Sequence, residues 1–320
     1  MSAPPFGDRL VAAVEARGSS VVVGLDPHLT LLPPPFADGA ASLQRDVVAA
    51  AVERFCDEIV ETVADLVPAI KPQIAFFERL GPPGWTALER VVQRAKRRGL
   101  LVVADAKRGD IGATATAYAD YLLGGPDGLG GLDADAVTVN PYLGTDSLLP
   151  FAAYLDRGKG LFVLAKTSNP SSAELQDRLI ETAAGERPLY TAVAELARQI
   201  GADSRGERGF SSVGIVVGAT HPSQLRELRG SFSELPFLVP GFGAQGADAG
   251  DVTGAFDERG LGALVNASRS LLFAYRGEEY SGLAPKQWSE ATRRECKKMS
   301  TAINEALAGV RKNEASDRTC

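Results

Sequence analysis

The chain has 320 residues, of which 45% are apolar and 23% are charged, and its net charge is -6. This composition is that of an ordinary globular protein with ample length for a full core, and the acidic balance excludes a general attraction for nucleic acid. No uninterrupted apolar stretch approaches the ~18 residues that a membrane-spanning helix needs. An anionic ligand would therefore require a local basic pocket.

The start of the chain, MSAPPFGDRL, lacks the basic and apolar regions of a secretory signal, so we expect a cytoplasmic protein. Its cysteines, Cys56, Cys296 and Cys320, are too few and too scattered for a disulfide framework. The histidines, His28 and His221, lie far from them in sequence, so no structural zinc site is expected.

Eight short apolar runs recur along the chain, separated by segments with helical spacing. They span residues 19–26, 67–76, 99–107, 134–142, 160–168, 213–220, 235–243 and 261–269. Strands that alternate with helices indicate a parallel sheet, and eight such units in about 250 residues are typical of a (β/α)8 TIM barrel. The main alternative, a doubly wound open sheet, more often has GxGxxG directly after its first strand, whereas this first run ends in GLDPH.

We therefore predict an α/β protein with one domain, a (β/α)8 TIM barrel over residues 1–285. Helices are expected near residues 46–66 and 223–229, and GGPDGLGGLD at 124–133 is expected to be a loop. Residues 286–320 combine helical spacing with many charges. We predict that they form a helical tail that lies on the surface or is partly disordered.

The third run ends in a cluster of charges, within LVVADAKRGDIGATATAY at 101–118. Asp105 and Lys107 are two residues apart, so they share one face of a strand, and Asp110 suits a cap for a helix that begins near Ile111. Asp110 could be only a cap, and Lys107 only a solvated lysine. However, the preceding LLVVA is typical of a strand buried on both faces, and the C-terminal ends of such strands carry the chemistry of α/β enzymes.

Polar residues follow most of the other predicted strands as well. The set at the strand ends is Asp26, Lys71, Asp105, Lys107, Asn140, Lys166, Ser168, Thr220 and Arg269. Because a lysine inside an apolar strand needs an acidic partner, Lys71 should reach Asp105 or Asp26. We predict an alternating array of Lys71, Asp105, Lys107 and Asp110 that leaves the ammonium of Lys107 aimed at the substrate.

The last two strand ends indicate a phosphate site. PGFGAQG at 240–246 is a glycine-rich loop, and Ser268 and Arg269 follow the final strand. Backbone N–H groups and an arginine fork suit a phosphate, and barrels commonly bind phosphate after strands 7 and 8. The glycines would also let Gln245 close over the ligand as part of a lid.

Together these motifs resemble the orotidine 5'-phosphate decarboxylase family, in its longer bacterial form (type 2), from about Val21 to Phe273. The Asp-x-Lys-x-x-Asp element of that family corresponds to Asp105, Lys107 and Asp110. Further matches are GLDP at 24–27, IKPQ at 70–73, VTVNPYLG at 137–144, KTSNP at 166–170 and PGFGAQG at 240–246. The resemblance implies decarboxylation of orotidine 5'-phosphate to uridine 5'-phosphate, with no metal and no organic cofactor.

The resemblance also implies roles for the catalytic residues. Lys107 would donate the proton to C6 of the pyrimidine, Asp105 would face the substrate carboxylate, and Lys71 would link Asp105 to the ribose. Asp110 corresponds to the aspartate that family homodimers lend to the neighbouring site, with Thr114 on the same segment. No nucleic-acid or membrane partner is implied.

The substrate-binding residues follow in the same way: Asp26 for the ribose hydroxyls, Ser168 for the pyrimidine edge, and Gln245 with Arg269 for the phosphate. Ser268 departs from the family, where many members have glycine before the arginine. The extra length near residues 32–50 and 200–210 has no assigned role.

Three alternatives remain open at this stage. A metal-dependent phosphosugar lyase of the same superfamily shares the Asp-x-Lys-x-x-Asp element, but Lys71 then occupies a strand end where a metal site would prefer a carboxylate. A Schiff-base aldolase would use Lys166 or Lys71. A non-catalytic sensor of phosphoribosyl ligands would bind the substrate without releasing CO2.

Overall fold

The computed structural model describes residues 3–125, 130–182, 185–243 and 246–317. Its strands are β1 Val21–Leu25, β2 Ala69–Pro72, β3 Leu101–Arg108, β4 Ala136–Val139, β5 Gly160–Lys166, β6 Leu179–Thr182, β7 Gly185–Pro188, β8 Val213–Val217, β9 Phe237–Pro240 and β10 Ala263–Ala267. Within the described ranges, eight of them close into a parallel barrel in the order β1-β10-β9-β8-β5-β4-β3-β2. The predicted single-domain TIM barrel is thus confirmed. Each barrel strand lies inside its predicted run, except that β3 continues to Arg108.

The α-helices are α1 Phe6–Arg17, α2 Pro34–Ala40, α3 Arg45–Val63, α4 Ile74–Glu78, α5 Pro82–Arg97, α6 Gly112–Leu123, α7 Thr145–Ala152, α8 Ala173–Gln176, α9 Leu189–Ile200, α10 Pro222–Ser231, α11 Arg269–Leu272 and α12 Trp288–Asp317. Most of them follow a barrel strand, as the alternating pattern requires. Among the described residues, none of these helices has both the length and the apolar character needed to cross a membrane.

The barrel strands are buried on both faces, which explains why they appear as continuous apolar runs. In β1, Val21 and Val23 pack toward the surrounding helices while Val22 points into the barrel. The N-terminal end of the barrel is closed by α1, whose Phe6 meets the ring of Phe162 edge-on at 6.0 Å. Gly160 makes this possible, because a Cβ there would lie 2.3 Å from the Phe6 ring. This end is therefore a packed plug, and the opposite end is free to hold a site.

An antiparallel hairpin, β6 with β7, interrupts the βα alternation after β5. It was not predicted. Its strands, LIET and GERP, are exposed or half-buried throughout, so they lack the apolar runs by which the barrel strands were recognised.

The C-terminal helix α12 differs from the predicted solvated tail. One face of the helix is buried in the protein, and it includes Trp288, Thr292, Cys296, Met299, Ile303 and Leu307. Their spacing of three or four residues places them on one face of a helix. The segment from Trp288 to Leu307 is therefore not merely a surface extension, because this face of α12 completes the core beside α3.

Both stretches of extra length pack against other elements. Within 32–50, Phe36 of α2 lies edge-on to Trp288 of α12 at 5.8 Å. Within 200–210, the backbone N–H of Glu207 donates to the carboxylate of Asp8 in α1 at 3.0 Å. These segments thus brace the two terminal helices.

Replacing Trp288 by alanine should lower the free energy of unfolding by about 3 to 5 kcal/mol, because it leaves a cavity among packed aromatic rings. Trp288 is 2% exposed and also stacks on Phe55 at 5.2 Å. Urea unfolding followed by circular dichroism measures the change. Leu43→Ala, at a fully exposed leucine, is the control and should change the stability by less than about 0.5 kcal/mol. Equal effects in the two variants would contradict a core role for α12.

Candidate active site

Two adjoining cavities lie at the C-terminal ends of the barrel strands. The first, the Lys107 cavity, has a volume of about 320 Å³ and is lined by Lys71, Asp105, Lys107, Thr138, Leu164, Thr167, Ser168, Asn169, Val216, Leu238 and Pro240. The second, the Arg269 cavity, has a volume of about 300 Å³ and is lined by Asp26, His28, Lys71, Gln73, Asp105, Ser168, Pro240, Gly241, Phe242, Asn266, Ala267, Ser268 and Arg269. They share Lys71, Asp105, Ser168 and Pro240, so they form one continuous space.

The centre of this space is the carboxylate of Asp105, which lies between two ammonium groups. Lys71 Nζ is 2.6 Å from Asp105 Oδ2, and Lys107 Nζ is 2.6 Å from Asp105 Oδ1. The hydroxyl of Thr138 donates to Oδ1 at 3.0 Å, and the amide of Gln73 donates to Oδ2 at 3.1 Å. Both oxygens therefore accept two hydrogen bonds each. The predicted contacts of Lys71 and Lys107 with Asp105 are present.

The electrostatics of the cluster favour its ionised form. Burial raises the pKa of Asp105. The charges and hydrogen bonds of Lys71 and Lys107 lower this pKa by more than burial raises it, so the net shift is downward. Burial lowers the pKa of Lys71, but the negative charges of Asp105 and Asp26 outweigh this and raise it above its ordinary value. The Asp105 carboxylate and the Lys71 ammonium are thus charged at neutral pH.

The backbone at Lys107 departs from a regular strand. The register between β3 and β4 shifts between Ala104 and Arg108, and Lys107 has a φ of 48°. This left-handed conformation costs a lysine roughly 1 kcal/mol. The N–H of Lys107 donates to Thr138 Oγ1 at 3.0 Å, which holds the bulge in place. Lys107 thereby turns its side chain, which is 46% exposed, into the cavity beside Asp105.

Asp110 lies outside this bonded array within the single chain. Its carboxylate accepts the N–H of Ile111 at 2.8 Å, and α6 begins at Gly112 with Ile111 in the capping position. Asp110 is thus one residue too early to be the predicted helix cap, because the turn extends through Ile111 before helical geometry starts. Thr114 is exposed and lines a different cavity, a groove of about 660 Å³ between α5 and α6.

Arg269 and Asp26 both line the Arg269 cavity. In the described part of the chain, the guanidinium of Arg269 makes no hydrogen bond or ion pair with the protein, and the buried Oδ1 of Asp26 also has no partner. The buried Oδ1 of Asn266 on the same wall is likewise unpaired in these residues. Buried polar atoms without partners are rare, so this wall is suited to a ligand with hydroxyl and anionic groups. Gln245 lies outside the described residues.

Ser268, the departure from the family pattern, occupies space that Gly24 of β1 leaves free. A Cβ at position 24 would lie 2.0 Å from Ser268 Oγ. The serine is therefore accommodated next to Arg269 without displacing β1.

The remaining strand-end residues take no part in the cavities. Lys166 is fully buried and bonds to Asp177 at 2.6 Å, and Asn140 accepts the N–H of Tyr142. Thr220 lines neither cavity. Sequence reasoning missed Gln73 and Thr138 as ligands of Asp105, although Gln73 stands in the IKPQ motif.

Comparison with known proteins gives a consistent result. A family model described as orotidine 5'-phosphate decarboxylase / HUMPS family matches residues 19–280. Orotidine 5'-phosphate decarboxylase of Rhodopirellula baltica is 47% identical over 308 residues, which cover 95% of this chain and 99% of that protein. The enzyme of Roseiflexus castenholzii is 42% identical over 95% of this chain and 99% of that protein. The structure of Leishmania donovani OMP decarboxylase superimposes with a TM-score of 0.71 at 34% identity, over 95% of this chain and 98% of that one.

Replacing Asp105 by asparagine should lower the free energy of unfolding by about 3 to 5 kcal/mol at pH 7, because Lys71 is then buried without a counter-charge. Since the pKa of Asp105 is lower in the folded chain than in the unfolded chain, its contribution is present above the unfolded value of ~3.9. It is lost as the pH falls toward the folded value. The difference between wild type and variant should therefore narrow below pH ~4.

Urea unfolding at a series of pH values measures this difference. Asp156→Asn, at an exposed aspartate, is the control and should match the wild type throughout. A difference between wild type and Asp105→Asn that does not depend on pH would contradict the coupling of Asp105 to its lysines.

Proposed function

The chain belongs to the orotidine 5'-phosphate decarboxylase / HUMPS family, and we propose that it decarboxylates orotidine 5'-phosphate to uridine 5'-phosphate, the last step of de novo UMP synthesis. The observation that carries this proposal is the Asp105 carboxylate bridged by Lys71 and Lys107, each at 2.6 Å, at the mouth of the barrel. Such an enzyme is a carboxy-lyase. Its proposed reaction involves no metal and no organic cofactor.

The chemistry explains why an ammonium is needed. When the bond between C6 and the carboxylate breaks, the electron pair stays on C6, and no carbonyl or imine is positioned to delocalise it. The ammonium of Lys107, held in place before the substrate arrives, stabilises this charge and then transfers a proton from Nζ to C6. Lysine regains its proton from solvent. Asp105 faces the departing carboxylate and holds Lys107, while Lys71 pairs with Asp105.

The ribose and phosphate groups of the substrate would occupy the Arg269 cavity. Arg269 supplies a guanidinium for the phosphate, together with Gln245 of the glycine-rich loop, and Asp26 accepts a hydrogen bond from a ribose hydroxyl. Ser168 lies between the two cavities and contacts the pyrimidine edge. Binding energy from the phosphate would then support catalysis at a distance from the reacting carbon.

We further propose a homodimer in which Asp110 and Thr114 complete the neighbouring active site. In support, the region around α6 exposes large apolar side chains, including Ile111 (52% exposed) and Tyr142 (78% exposed). Exposed apolar patches commonly mark protein interfaces. Neither Asp110 nor Thr114 lines a cavity of its own chain at the barrel mouth.

A second candidate is a metal-dependent phosphosugar lyase, since the Asp-x-Lys-x-x-Asp element of Asp105, Lys107 and Asp110 also fits that class of enzyme. Among the described residues, no group of three or more His, Cys, Asp or Glu side chains is arranged to hold a metal ion, and Lys71 takes the place where such a site would use a carboxylate. A Schiff-base mechanism through Lys166 is disfavoured because its amine is buried against Asp177 outside both cavities.

Lys107→Ala should lower kcat for orotidine 5'-phosphate by at least about 10³-fold, because it removes both the proton donor and the stabilising charge. The loss of substrate absorbance measures turnover, and UMP binding should persist. Lys286→Ala, at an exposed lysine just before α12 that lines neither cavity, is the control. Normal turnover by Lys107→Ala would refute the proposal, loss of wild-type activity in EDTA would favour the lyase, and UMP binding by a wild type that releases no CO2 would indicate a sensor.

Mixing Lys107→Ala with Asp110→Asn should restore activity if the sites are shared. A hybrid dimer then contains one site with both changes and one intact site, so an equal mixture should reach about a quarter of the wild-type activity. In the control mixture, Lys107→Ala with Asp105→Asn, both changed residues belong to the chain's own site, so each site of a hybrid dimer carries one change and the mixture should stay inactive. Equal behaviour of the two mixtures would contradict the lent aspartate.

A further inference from the structure

The residue before Ser168 is held by a set of side-chain contacts that catalysis does not require. The amide of Gln176, the last residue of α8, accepts the N–H of Thr167 at 2.9 Å through Oε1 and donates to the Thr167 hydroxyl at 2.8 Å through Nε2. That hydroxyl donates in turn to Asn169 Oδ1 at 2.6 Å. The carbonyl oxygen of Thr167 lies 3.0 Å from His221 Nε2. We call these contacts the Thr167 clamp.

The clamp is anchored to the barrel by an ion pair between a buried lysine and an aspartate at the surface. Lys166, the last residue of β5, is 1% exposed, and its ammonium lies 2.6 Å from Asp177 and 3.2 Å from the hydroxyl of Ser172. Since Asp177 directly follows Gln176, this pair fixes the end of α8 against the end of β5. The Gln176 amide is therefore held at a set distance from Thr167.

On its other side, Ser168 packs against the backbone of Gly218, the residue that follows β8. A Cβ at Gly218 would lie 2.7 Å from the Cα of Ser168, so the two main chains are in direct contact there. With Thr167 clamped on one side and Gly218 packed on the other, Ser168 has little freedom to move.

The clamped segment forms one wall of the Lys107 cavity. Thr167, Ser168 and Asn169 line that wall, and apolar side chains, Leu164, Val216, Leu238 and Pro240, line the space as well. Among the described residues, this wall offers polar groups to the edge of a flat ring bound with its reacting carbon at Lys107. Among the described residues, the Ser168 hydroxyl has no hydrogen-bond partner in the protein, so it is available to a ligand.

We propose that Gln176 is a positioning residue that sets the preference for a uracil ring, by fixing Ser168 through Thr167. The inference rests on the proposed function. Gln176 touches no substrate itself. A polar wall discriminates between rings only when its hydrogen-bonding groups are held in place, because a wall that can shift adapts to either base.

Gln176→Leu tests the proposal, since it keeps the size of the side chain and removes the amide. The dissociation constants of UMP and CMP are measured by calorimetry for the wild type, this variant and Glu174→Gln, an exposed control in the same helix. We expect UMP binding to weaken by about tenfold and CMP binding by less than about threefold, so that the preference for UMP falls. Glu174→Gln should keep the wild-type preference.

A double-mutant cycle with Ser168→Ala separates positioning from a general loss of structure. If Gln176 acts through Ser168, the double variant should bind UMP no more weakly than Ser168→Ala alone. Losses that add, or equal weakening of UMP and CMP, would overturn the inference. Gln176→Glu, which keeps an acceptor for the Thr167 N–H, should recover part of the preference.

Should Gln176→Leu fail to fold, Thr167→Val removes the clamped hydroxyl at constant shape and must show the same loss of preference. A wild type that neither decarboxylates orotidine 5'-phosphate nor prefers UMP would refute the proposed function. A wild type that does both, with the preference unchanged in Gln176→Leu, would refute the positioning role alone.

Discussion

One carboxylate holds two ammonium groups at the mouth of this barrel, and the surrounding structure serves that arrangement. Asp105 is almost fully buried, as is Lys71, so each would be costly without the other. Lys107 shares the same carboxylate but is nearly half exposed. The two lysines therefore differ: Lys71 is buried and paired with Asp105, whereas Lys107 is paired with the same carboxylate but exposed to the cavity.

This asymmetry arises from the local backbone. Lys71 lies within a regular stretch of β2 that pairs with β1, so its side chain has one direction available. Lys107 lies within a register shift and has a left-handed φ. This backbone conformation directs its side chain away from the position that a regular strand would give it. Strained residues of this kind are common at active sites, where the surrounding contacts over-determine them.

Much of this could be predicted from the sequence, since burial on both faces makes each barrel strand a continuous apolar run, and a charge inside such a run demands a partner. That rule predicts an acidic partner for Lys71, either Asp105 or Asp26, and the structure shows that Asp105 is the partner. The core face of α12 was missed because its charges conceal a stripe from Trp288 to Leu307, and the exposed hairpin β6–β7 has no apolar pattern to detect. The proposed roles of Asp110 and Thr114 involve a second chain, and the single chain places both residues outside the two cavities at the barrel mouth. The homodimer and the cytoplasmic location stay predictions.

The pairing of β1 with β10 has a consequence for biosynthesis. These strands are more than two hundred residues apart, and contacts between such distant segments form slowly. A growing chain cannot close the barrel until Ala267 has emerged from the ribosome. The packing of Phe36 and Phe55 against Trp288 can form only later, when Trp288 has also emerged. The nascent protein therefore exposes the edge of an open sheet until β10 is available to pair with β1.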